Sequence, residues 1–226
     1  MARAFWRTPC PASNQATRLL SVKLYSYVVA RDYGFAPNPF FGVCTLATCK
    51  PRIRSVAQIG DWVVGTGSKT RKREKHLVYA MRVTDAMTFN QYWADPRFQR
   101  KRPNLQGSKK QAFGDNIYSK HARMNKWCQM NSHHSLADGS PNTSNITADT
   151  QTDRVLISDD FVYWGGSGPQ LPQRFLNYGP LHVTLCVGRN HKNNFPPEFV
   201  QEFVDWIRSR NEKGYVSEPL DWRRTP

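Results

Sequence analysis

Two histidines of this sequence that can move a proton near neutrality sit in polar loops. His133 stands with His134 in "NSHHSL", and His191 in "GRNHKNNF". An imidazole titrates close to pH 7, so His133 and His191 are candidate general acids or bases, with plain solvation of the His133 pair as the alternative. Cys44 and Cys49 have a C-x4-C spacing that could join the two histidines on zinc. The regular second half of such a site is missing, so no metal is expected and small buried thiols are the preferred explanation. "SDDFVYWGG" sets Asp159 and Asp160 beside Tyr163 and Trp164. A carboxylate that accepts from a base amino group, beside rings that stack on the base, is how a flipped or single-stranded base is held. Turn aspartates and core aromatics are the plainer account of the same residues. Asn193 can read a base edge or merely cap a helix. Together with Thr66 and Ser68 these residues form the candidate base pocket.

"GDWVVGTGSKTRKREKH", Gly60 to His76, has the letters of a phosphate loop and the charge of a nucleic-acid contact. A P-loop needs lysine directly after its last glycine and a helix after that. Thr66 follows Gly65, Lys69 comes one place late after Gly67, and "HLVYAMRV" is rich in β-formers. The stretch therefore reads as a hairpin with a basic tip. Lys69, Arg71, Lys72 and Arg73 are candidate phosphate contacts, with Arg100, Lys101 and Arg102 as a second cluster and Arg189 and Lys192 as a third.

These residues need elements to hold them. Leu24–Ala30 predicts a first strand, and 61–65 and 77–84 the hairpin. "VCTLATC" predicts an extended or short helical piece stopped by Pro51. Thr88 with Gln91 three residues on predicts a capped short helix ended at Asp95-Pro96. "RVLISDDFVYW" predicts a strand pair or one bent strand, and "LHVTLCVG" another strand. Pro197 opens a stretch whose Phe199, Phe203 and Trp206, with Val200, Val204 and Ile207, make an apolar stripe at helical spacing. Residues 97–153 are polar, basic and rich in turn formers, and read as a long insertion. The expected organisation is a basic N-terminal extension over 1–22, one domain over 23–213 and a C-terminal tail over 214–226. The expected fold is α+β: a small, mostly antiparallel, barrel-like β core with peripheral helices and that insertion over one face.

Composition narrows the partners. With 32 Lys+Arg against 17 Asp+Glu the chain carries a formal charge of +15. An excess that large points to a polyanion, most simply nucleic acid. No stretch reaches the roughly 18 apolar residues of a membrane helix. Five scattered cysteines suit a reducing compartment better than a disulfide framework. A cytoplasmic protein with no cofactor is expected.

Several motifs in order carry a resemblance. "SYVVARDYGFAPNPFFGVCTLATCKPRIR", "GDWVVGTGSK", "LVYAMRVTD", "YWADPRF", "GSKKQAFGDNIY", "SHHSL", "DRVLISDDFVYWGG" and "GRNHKNNF" resemble the bacterial and phage family called nucleotide modification associated domain 2, over about Lys23 to Phe195. "GDWVVGTGS" followed by "LVYAMRVTDAMTFNQYW" is also similar to barrels of the PUA, ASCH and EVE groups, which bind RNA or modified bases in a pocket. The first resemblance implies a base-modification or phage-defence setting. DNA is the expected partner ahead of RNA, possibly with base-modification enzymes alongside. In the ASCH-like amidohydrolases a threonine and a lysine near the first loop work with a glutamate. That implies roles for Thr48 and Lys50, but this sequence has no glutamate between Met1 and Arg73. Two functions stay open: a module that recognises a modified base in nucleic acid, and an enzyme, amidohydrolase-like or transferase, that adds, trims or removes the modification. A structural adaptor with incidental charge is a third.

Overall fold

Alternation of residues along four strands builds the centre of the protein. In a computed structural model describing residues 22–188 and 190–224, β1 (Leu24–Val28), β3 (Trp62–Thr66), β4 (Leu77–Arg82) and β9 (Asp160–Tyr163) lie side by side. Tyr25, Tyr27, Val63, Tyr79, Met81, Phe161 and Tyr163 face one side; Leu24, Trp62, Val64, Leu77, Ala80, Val162 and Trp164 bury on the other. Successive side chains of a strand point to opposite faces, so two-sided burial demands near-continuous apolar runs, which these strands have. Two short edge strands, β10 (His191–Lys192) on β1 and β11 (Gly214–Tyr215) on β9, complete a six-stranded sheet of order β10-β1-β3-β4-β9-β11. The pairs β1–β3 and β9–β11 are parallel and the rest antiparallel.

Helix α5 (Pro197–Ser209) covers one face with Phe199, Val200, Phe203 and Ile207, the stripe its spacing predicts. The other face packs on a second sheet, β2 (Cys44–Leu46), β8 (Val155–Ser158) and β5 (Asp85–Met87), in the order β2-β8-β5. Helix α1 (Pro51–Val56) follows β2 and buries Ile53 in the same layer. Helix α2 (Phe89–Ala94) has the expected capping box, Thr88 with Gln91.

Residues 97–153 form a further layer. They contain α3 (Lys109–Ala112), the hairpin β6 (Tyr118–His121) and β7 (Lys126–Gln129), and α4 (Thr143–Asp149). Phe98, Ile117, Tyr118 and partly buried Trp127 pack with Phe35, Phe89 and Val155, which is why so polar a segment is ordered.

Three expectations need correction. No closed barrel forms among the described residues: the large sheet is open, and two layered sheets bury what a barrel would enclose. Of the two alternatives for "RVLISDDFVYW", two strands form, and they lie in different sheets rather than against each other. "LHVTLCVG" is not a strand: Leu181 is exposed, Leu185 plugs the core, and its carbonyl accepts the Ser26 hydroxyl at 2.6 Å. The edge of β1 is paired instead by His191–Lys192. Residues 214–224 are no appended tail: β11 extends the sheet, and the Trp222 ring stacks on Phe40. The basic extension lies, apart from Val22, outside the described residues.

Candidate active site

A cavity of about 500 Å³ opens where the loop after β1 meets the loop after β2 and the insertion. Tyr27 and Val29 form its floor, Tyr33 and Phe35 a wall, and Cys49, Lys50, Arg31, His133 and His134 its polar groups. Gly65 shapes that floor from beneath. A Cβ there would stand 2.6 Å from both the Tyr79 ring and Val29, so only glycine lets β3 lie this close. Tyr79 in turn donates its hydroxyl to Tyr27 at 3.0 Å.

Cys49 sits on a sharp turn between β2 and α1. Its φ is +58° and that of Lys50 is +42°, the left-handed region that non-glycine residues avoid. Such residues each cost on the order of 1–3 kcal/mol and persist only when their surroundings hold them. The surroundings here are explicit. The Cys49 N–H donates to Asp149 Oδ1 at 2.6 Å, and its carbonyl accepts from Arg54 Nε at 2.8 Å. Arg54, wholly buried, also donates to the carbonyls of Asp149, Thr152 and Arg154. One guanidinium thus ties the turn to the end of the insertion. Strand, strained turn and helix in succession is a geometry that presents a nucleophile.

The Cys49 sulfur lies 3.9 Å from His134 Nε2, and His134 Nδ1 lies 2.8 Å from Asp149 Oδ2. Gln129 on β7 and Asn145 on α4 hold the His134 carbonyl at 3.3 and 2.8 Å, and Tyr118 donates to Asp149 Oδ2 at 2.9 Å. Burial alone would lower the His134 pKa, but hydrogen bonds and charges from Asp149 and Cys49 outweigh it and push it up to about 9. The imidazole therefore carries its proton at neutral pH. Lys50 and Arg54 also feel the charge of Cys49, so the sulfur stands among three cationic side chains. A thiol beside an imidazole and cationic side chains has the partners that nucleophilic catalysis uses. Thiol, imidazole and carboxylate in line match nucleophile, proton carrier and orienting group.

The residues expected from sequence are distributed differently. Lys50 lines the cavity; Thr48 is buried beside it, its hydroxyl without a partner among the described residues. His133 is at the rim, its ring against Tyr33, Phe35 and Phe113, and desolvation with the nearby charges of His134 and Arg31 lowers its pKa to about 4. It has no carboxylate partner among the described residues and is poorly set for acid catalysis. His191 is on the edge strand, 6.4 Å from the Tyr25 ring; burial and then the charges of Lys50 and Arg52 lower its pKa.

The expected base pocket does not assemble. Trp164 is buried and donates to Glu212, Tyr163 is buried and donates to Asp32, and Thr66 is buried in β3. Ser68 is buried beside the hairpin tip. Asp160 is ion-paired to Arg208, while Asp159 and Asn193 are exposed elsewhere. The aromatics are core because both faces of the large sheet are covered. Several expected phosphate contacts are likewise engaged. Arg71 pairs with Asp221, Arg73 donates to the Gly168 carbonyl, Lys101 is buried against Asn38, and Arg102 lies over Trp93. Arg100 lies over Phe41, and Lys192 donates to the Thr184 carbonyl. Lys69 and Lys72 are exposed at the tip, and Arg189 lies outside the described residues. Cys44 is sealed in β2, apart from the Cys49 turn in its role, and no group of three or more metal-ligating side chains assembles among the described residues. Nor is any helix there long and apolar enough to cross a membrane.

The sequence singles out neither the Cys49–His134–Asp149 chain nor Arg54. The available signal was the Cys-Lys-Pro turn between a strand and a helix.

No curated protein and no solved structure matches this chain. A family model does, over residues 21–226, and its description is nucleotide modification associated domain 2. With nearly the whole sequence matched, from the strands beneath the cavity to the Trp222 segment, the chain belongs to the nucleotide modification associated domain 2 family.

Proposed function

We propose that this protein is a thiol-dependent enzyme of a nucleotide-modification system. The observation that carries the reading is the chain Cys49–His134–Asp149, hydrogen-bonded in sequence and opening on a cavity of about 500 Å³. Cys49 acts as the nucleophile, His134 carries the proton, and Asp149 fixes the imidazole. The chemistry that suits this set is acyl transfer. The sulfur attacks a carbonyl carbon of an amide- or ester-linked group. As the carbon–nitrogen or carbon–oxygen bond breaks, His134 gives its proton to the departing atom. Water or an incoming amine then attacks the thioester, its proton passes back to His134, and Cys49 is released. Trimming a modification and transferring one differ only in that second acceptor.

Recognition of nucleic acid without turnover is the second reading, favoured by the +15 charge and the exposed Lys69 and Lys72. Nucleoside mass spectrometry from cells carrying the native protein or Cys49→Ser decides between them. The native protein should change a modified-nucleoside peak and Cys49→Ser should not. His134→Ala should slow turnover by roughly 10²–10⁴-fold. A Cys49→Ser protein that changes the profile as the native one does would remove the enzyme reading.

A further inference from the structure

Lys50 occupies an unusual position. It follows the nucleophile directly, lines the same cavity, and holds its ammonium 4.5 Å from the centre of the Tyr27 ring. It is only partly exposed, and burial lowers its pKa. Among the described residues no carboxylate lies within ion-pair distance of it, and no protein group accepts a hydrogen bond from it. Arg31, exposed at the rim of the cavity, also has no carboxylate partner there. Asp149, the carboxylate of the Cys49–His134 chain, is already satisfied by the Cys49 N–H, His134 and Tyr118. A partly desolvated ammonium with three donors, facing only the Tyr27 ring and the Cys49 sulfur and with neither carboxylate nor hydrogen-bond acceptor, is costly to keep and is normally paired. Its backbone is also held in the left-handed region, which fixes where the side chain starts.

We infer that Lys50, with Arg31, forms an oxyanion-binding subsite beside Cys49, so that the substrate brings a phosphate or carboxylate group into the cavity with its reacting carbonyl. This rests on Cys49 being the nucleophile and adds the class of molecule it acts on: a nucleotide-sized anion, for which a cavity of about 500 Å³ is suited. The aromatic wall of Tyr33 and Phe35 takes the flat part of such a molecule, and the two cations take its charge. An uncharged nucleoside or free base would leave Lys50 unpaired.

Two alkylating probes of nearly equal size test this. Iodoacetate carries a carboxylate and iodoacetamide does not. The measurement is the rate of Cys49 labelling by each, in the full chain, by peptide mass spectrometry, with glutathione as the reference thiol. Iodoacetate should be favoured by about 10-fold or more over the ratio seen with glutathione, since focused positive charge raises local anion concentration by such factors. Its rate should saturate, and inorganic phosphate or a nucleoside 5′-monophosphate should protect. Lys50→Gln should return the ratio toward that of glutathione, and Arg31→Gln, at an exposed position, should lower it partway. A glutathione-like ratio in the native protein, with no protection by phosphate, overturns the subsite. Protection by an oligodeoxynucleotide but by neither small anion would overturn the nucleotide-sized substrate. Failure of the underlying reading looks different: slow labelling by iodoacetamide as well, unchanged in His134→Ala.

Discussion

Two aspartates reach the interior from the 97–153 segment, and they meet nearly the same set of partners. Asp115 accepts from Thr45 of β2 at 2.6 Å and from Tyr92 at 2.8 Å, and it feels the charge of buried Lys101. Asp149 accepts from Cys49 just after β2, from Tyr118, and from His134. Each is thus a carboxylate with a tyrosine, a residue of the β2 region and a cation. The difference is access. Lys101 donates to the Asn38 carbonyl and amide oxygen at 3.0 and 2.7 Å and is sealed from solvent. The Cys49–His134 end of the other set faces a cavity. Perturbed ionisation alone does not mark function: burial lowers the Lys101 pKa to about 8, a large shift in a network with no open side. What separates the two is a reactive atom left facing space that a substrate can enter.

The first consequence is a division of effects. Lys101→Met should lower stability by roughly 3–5 kcal/mol, because Asp115 and the Asn38 oxygens are left buried without their cation. Adding Asp115→Asn should recover part of the loss, since the uncompensated carboxylate is then gone. Urea unfolding measures both. The iodoacetamide rate at Cys49 in the folded Lys101→Met protein should match the native one. A slowed rate at preserved stability would mean that the two networks work as one.

The second consequence concerns pH. His134 holds its proton up to about 9 in the folded protein, against 6.5 ordinarily. Folding therefore retains a proton that unfolding releases above pH 6.5. The stability this contributes is fully present below about 6.5 and is lost as pH rises through about 9. The native protein should lose on the order of 2–3 kcal/mol relative to His134→Gln across that window. Parallel unfolding series at pH 6 and 9.5 give the difference directly. Equal pH dependence in the two proteins would break the His134–Asp149 link.

The fold was legible where signals are local. The capping box at Thr88, the stripe of α5 and the β3–β4 hairpin need only neighbours a few residues apart, and each forms as the sequence suggests. The site was not legible, because it joins residues 85 and 100 positions apart across a segment with no strong periodicity. In "NSHHSL" nothing tells which histidine turns inward; packing of Asn145 and Gln129 on the His134 carbonyl decides it. The pair Tyr163 and Trp164 misled in the opposite way. Aromatics beside aspartates resemble a stacking platform, but the layer of α5 on one face and the second sheet on the other turn both rings into core.

The smallest expected effect tests the same distinction between committed and open groups at the protein surface. At the hairpin tip, Arg71 and Arg73 bind protein partners, while Lys69 and Lys72 project into solvent together with Lys75. A side chain with no protein contact contributes little to the fold, so Lys69→Ala with Lys72→Ala should change stability by less than about 0.5 kcal/mol. If the tip contacts nucleic acid, each lost phosphate contact should reduce the slope of log affinity against log salt, by about 0.9 where the probe is duplex DNA. Arg71→Ala should do the reverse: stability falls because the ion pair with buried Asp221 is removed, and the salt slope stays near native. Filter binding at several salt concentrations, beside urea unfolding, separates the two patterns. A salt slope unchanged by the double lysine variant would remove the tip from the nucleic-acid contact.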